Sequence, residues 1–112
     1  MPKHVAELRD VYDFLEEVRQ RPGMWVRRSS VQHLDSILTG YWVALEVHEV
    51  DEQFDFGNGG RFAEWLWERR GGSSPLGWAA EVERLAEAEH KPAMEMFFAL
   101  LDEYRSERAV AD

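Results

Sequence analysis

The sequence predicts an all-α fold, a single five-helix bundle domain over residues 1–112 with one longer loop at 49–60. Three observations predict it. Apolar residues recur at the i, i+3, i+4, i+7 spacing of a helical face through most of the chain. Proline and glycine pairs interrupt those stripes at intervals suited to short helices. No segment sustains the alternation of a strand, and only Gln53 to Phe56 suits a short extended stretch. With 112 residues, 45% of them hydrophobic and 12% aromatic, the chain has apolar surface for one core and is not a disordered polymer.

The first helix is expected from about Leu8 to Gln20, because Val11, Phe14, Leu15 and Val18 share a face. It stops where Pro22 disfavours helical geometry at Arg21, and the turn Arg21-Pro22-Gly23-Met24-Trp25 should carry Met24 and Trp25 inward. Ser29 or Ser30 can cap the second helix, with Leu34, Ile37, Leu38, Tyr41, Leu45 and His48 along one stripe. Val43 and Val47 fall opposite, so this helix should be central, with Gly40 marking a close crossing. Phe62, Trp65, Leu66 and the stem of Arg69 define a third helix, ended by Gly71 and Gly72. Ser74-Pro75 reads as N-cap and first position of a fourth, burying Trp78, Val82 and Leu85. Lys91-Pro92 breaks it, and the fifth runs from about Pro92 to Arg105, leaving a frayed tail from about Ser106.

Acidic residues outnumber basic ones, 22 to 13, for a net charge of −9. That field repels nucleic acid and anionic membrane, and makes a basic protein the easier partner. The absence of cysteine excludes disulfides and thiolate chemistry, and a cytoplasmic protein without signal peptide or membrane span is expected.

Two glycine-bearing motifs resemble the gyrase-type ATPase domain: the Arg21 to Trp25 turn and Asp55-Phe56-Gly57-Asn58-Gly59. If His33-Leu34 is aligned with that family's His-Leu, its general base and magnesium ligand fall on Ile37 and Tyr41, which can do neither job. The third glycine motif is missing and the chain is too short for that domain's mixed sheet, so an ATPase is rejected. Over nearly its whole length the chain resembles a family of small, uncharacterised actinobacterial helical proteins. The residues that carry the likeness are the Arg21 to Trp25 turn, Gly40-Tyr41, and Phe97-Phe98-Ala99-Leu100-Leu101-Asp102-Glu103-Tyr104. Val26-Arg27 departs from the aliphatic-glycine continuation usual there. Some members resemble polymorphic-toxin immunity proteins, so the resemblance implies a helical fold and a toxin as partner, with no catalytic residue set.

No catalytic, cofactor or metal site is expected. His48 with Asp51 and Glu52 has a spacing that suits zinc, yet a histidine on a helix stripe is more often packed. The partner-binding candidates are Asp51, Glu52, Phe54, Asp55, Phe56 and Trp67. The loop would present carboxylates around two aromatics, an apolar anchor with a charged rim. Its rival is a solvated loop whose phenylalanines fold back into the core. Trp67 projects about 140° from Phe62 around its helix and either meets a second layer or anchors an interface. The function expected is a non-enzymatic acidic protein-binding module, plausibly an immunity protein neutralising a basic toxin; the alternatives are a homodimeric structural or regulatory protein and a small metal- or ligand-binding bundle.

Overall fold

A computed structural model describes residues 4–57 and 60–111 of the chain. Asp10 begins the first long helix: its side chain accepts from the Asp13 amide at 2.9 Å, and the Arg9 amide donates to the Asp13 carboxylate at 3.0 Å. Helix α1 therefore spans Val11–Gln20 rather than starting at Leu8, which ends a separate 3-10 turn, Val5–Glu7. Val11, Leu15 and Val18 are buried on its inner face.

Pro22 at the first position nucleates a one-turn helix, α2 (Pro22–Trp25), where a simple turn was expected. The added rotation turns Met24 outward, 66% exposed, leaves Trp25 half-buried and edge-on to Phe14, and delivers Val26 to the core instead. Ser30 caps α3 (Val31–Val47), its Oγ accepting from the His33 amide.

Only the N-terminal part of α3 is enclosed, by α5 (Trp78–Ala88) and α6 (Ala93–Ala111), which bury Val31, Leu34 and Leu38. Beyond Trp42 most of the helix is exposed and overhangs its neighbours. Val43 and Val47 are exposed, and a Cβ at Gly40 would meet nothing within 4 Å, so neither the second packed face nor the close crossing expected there exists.

Helix α4 (Arg61–Arg70) ends as expected, with Gly71 left-handed at φ 88° and the amides of Gly71 and Gly72 both donating to the Trp67 carbonyl. The segment before α5 departs from expectation. Ser74 Oγ accepts from the Leu76 amide in a local turn, and Gly77, at φ 90°, redirects the chain so that α5 starts at Trp78. A serine that satisfies a nearby amide in a turn competes with its use as a helix cap.

Met94, Met96, Phe97, Phe98, Leu100, Leu101 and Tyr104 of α6 are buried. The helix runs on to Ala111 where fraying was expected from Ser106, because side chains of its last turns have partners on the body: Glu107 accepts from the Trp65 indole N–H and Arg108 pairs with Asp55. Phe62 sits at the centre of the core, with ring centroids 5.5–5.7 Å from Phe56, Trp78, Phe97 and Tyr104. The long helices α1, α3, α4, α5 and α6 make this an all-α bundle, and among the described residues none is long and apolar enough to cross a membrane.

Candidate functional site

The connection between α3 and α4 divides the residues proposed from the sequence into three groups. It starts from an unusual helix end. Glu49 takes a left-handed conformation at φ 52°, and the Val50 amide donates back to the Leu45 carbonyl at 2.9 Å. This is the hydrogen bond of a helix-terminating hook made with glutamate in place of the usual glycine. It holds Val50 beside the last turn of α3.

The first group is a buried polar network. Asp55 is 1% exposed; it accepts from the Tyr12 hydroxyl and, at 3.1 Å on each oxygen, from Arg108 Nη1, which also reaches Tyr104 Oη at 3.0 Å. Arg105 lies over the Tyr12 ring, 4.1 Å from its centroid. Glu52 is half-buried and accepts from the Val11 amide at 3.0 Å and from the Tyr41 hydroxyl at 2.8 Å. Burial, and then hydrogen bonding to these carboxylates, pushes the phenols of both Tyr12 and Tyr41 well above their ordinary value. Asp55 and Glu52 are thus struts that tie the loop to α1, α3 and α6. Their hydrogen-bond partners lie 11 to 53 positions away in the chain, so no local pattern in the sequence could reveal the pairing.

The second group turns into the core. Phe54 stacks on Tyr41 at 5.3 Å, and Phe56 is 5% exposed among Phe62, Trp78 and Phe97. The turn that inserts them needs glycine at one point: a Cβ on Gly60 would lie 2.4 Å from the Asp55 carbonyl, which accepts from the Phe62 amide. The anchor of Phe54 and Phe56 rimmed by carboxylates, anticipated from the sequence, is therefore not formed. Packing of two large aromatic rings outweighs their display to solvent. Asn58 and Gly59 of the glycine cluster lie outside the described residues.

The third group is what remains accessible. Asp51 is exposed, and so is His48, which is not gathered with Asp51 and Glu52 into a metal-binding cluster among the described residues. Trp67 is half-buried and lines a cleft of about 520 Å³ together with Asp35, Trp42, Phe56 and Trp78. Burial pushes the Asp35 carboxyl up, and a hydrogen bond from the Trp78 side chain opposes this.

Exposed valines interspersed with exposed acidic residues do occur, one element earlier than anticipated. Val43, Val47 and Val50 are 45%, 69% and 53% exposed, and the exposed carboxylates of Glu46, Glu49 and Asp51 lie on the same segment. In the sequence Val43 and Val47 form the second face of α3, which, like Trp67, suits either a second packed layer or an interface anchor. No protein-family model, curated protein or solved structure matches this chain.

Proposed function

We propose that the chain is a non-enzymatic protein-binding module that docks a basic protein on the overhanging end of α3, and that it acts as an immunity protein neutralising a toxin. The observation that carries this reading is the exposure of Val43, Val47 and Val50 among Glu46, Glu49 and Asp51 on a chain of net charge −9. Each valine fully removed from water by a partner contributes roughly 1.5 kcal/mol, while the carboxylates steer a cationic surface toward it. The same surface meeting its own copy would bring like charges together, which disfavours the homodimer.

The test is growth rescue on co-expression with any basic toxin domain that a neighbouring gene encodes. Wild type should rescue, and Val47→Asp and the double variant Glu46→Lys, Glu49→Lys should fail while keeping wild-type helical content. Equal rescue by all three would remove the α3 end as the docking surface. Sedimentation of the purified protein should show a monomer; a stable dimer abolished by Val47→Asp would assign this face to a second copy.

A further inference from the structure

The cleft between α3 and α4 has a composition that the docking surface does not explain. Asp35, Thr39 and Trp42 stand four and three positions apart along one stripe of α3 and form one wall. Trp67 of α4 lines the same cleft, together with Phe56 and Trp78. Trp42 and Trp67 make no ring pair among the described residues, in contrast to Trp78, which packs on Phe62 and Phe97. Gly57 meets the Trp42 indole so closely that a Cβ there would lie 2.8 Å from Cδ1. Any side chain at position 57 would therefore push into the ring that walls the cleft.

We propose that this cleft is an aromatic cage for an alkylated ammonium group. Indole faces attract a soft cation through their negative π surface, and tryptophan does so most strongly. The polar groups select within that class. Thr39 donates its hydroxyl proton to the Asp35 backbone carbonyl at 2.9 Å, and the Gly57 carbonyl accepts from the Gly60 amide. That leaves the Asp35 carboxylate as the main acceptor. A primary ammonium has three N–H donors to satisfy and would leave some unpaired, whereas a trimethylammonium head has none. No basic side chain is among the described residues lining the cleft. An anion at the N-terminus of α5 is disfavoured, because a helix end supplies only about half a positive charge against the full negative charge of Asp35.

The probe is choline, compared with its uncharged carbon isostere 3,3-dimethylbutanol, by calorimetry and by the indole N–H resonances of the native protein. Choline should shift the Trp42 and Trp67 signals and bind about tenfold more tightly than the isostere, a margin set by attraction of the cation to the indoles and to the Asp35 carboxylate and not by size. Asp35→Asn, with helicity retained, should narrow the margin between choline and the isostere, and Trp67→Ala should abolish binding. Should Trp67→Ala fail to fold, the Asp35→Asn comparison carries the decision. Equal binding of choline and isostere to wild type, unmoved Trp42 and Trp67 signals at millimolar choline, or an unchanged ratio in Asp35→Asn would overturn the proposal. A peptide bearing trimethyllysine distinguishes the source. Binding tighter than choline assigns the head group to a protein side chain, and binding no tighter assigns it to a free quaternary amine.

Discussion

Arg108 Nη1 lies 3.1 Å from both carboxylate oxygens of Asp55, joining the last turns of α6 to the loop that follows α3 across 53 positions of sequence. Asp55 is buried and also holds the Tyr12 hydroxyl, so one carboxylate fastens α1, the loop and α6. Removing one partner of such a pair leaves an uncompensated charge in the interior, a loss usually larger than the net worth of the pair.

Asp55→Ala should therefore lower stability by about 3 kcal/mol in a urea titration. Arg108→Ala should also loosen the C-terminal turns of α6. Hydrogen exchange of the amides from 106 to 111 should accelerate while those of the Phe97 region stay protected. Unchanged exchange in that variant would mean that the helix persists there without the pair.

The two carboxylate-bound phenols predict a weakness at alkaline pH. Tyr12 and Tyr41 are raised above the ordinary value of 10.0 in the folded protein, chiefly by burial. The stability they contribute is whole below about pH 10 and is lost as pH rises toward the folded values, since the unfolded chain ionises first. The urea midpoint should fall between about pH 8 and about pH 11. The fall should be shallower in the double variant Tyr12→Phe, Tyr41→Phe, whose stability at neutral pH is lower because it loses both hydrogen bonds. An equally steep fall in that variant would place the alkaline titration elsewhere.

Two glycines should respond oppositely to alanine. At Gly60 the new Cβ would press on the Asp55 backbone at 2.4 Å, so the loop must shift, and a loss of about 2 kcal/mol is expected. At Gly40, inside α3 with open space around it, alanine should raise stability by up to about 1 kcal/mol through helix propensity. Thermal melts of the two variants distinguish them, and a destabilised Gly40→Ala would show that the position is crowded.

The two halves of α3 should differ as sharply. Leu38→Ala, at a fully buried site, should cost about 3 kcal/mol, whereas Val47→Ser on the overhang should stay within about 0.5 kcal/mol of wild type. A large loss for Val47→Ser would place that valine in an intramolecular contact and remove it from the docking surface.

Local chemistry was enough to read the helical class, the end of α1 at Pro22, the serine before α3 and the glycines after α4, because periodicity, proline geometry and left-handed glycine act within a few residues. The start of α5 differs from expectation for a local reason too: Ser74 and Gly77 offer two boundaries, and sequence does not show which hydrogen bond forms. What α3 buries was not local. Val43 and Val47 have the spacing of a core face, yet they are exposed while Leu34 and Leu38 on the same helix are buried. Asp55 and Glu52 look like solvated loop acids until Tyr12, Tyr41 and Arg108 arrive from other helices. Phe56 enters the core, and the half-buried Phe54 packs against it, in the same way. A residue's propensity travels with it along the chain, but whether its side chain meets water, a ring or an opposite charge is decided by segments brought together from tens of residues away.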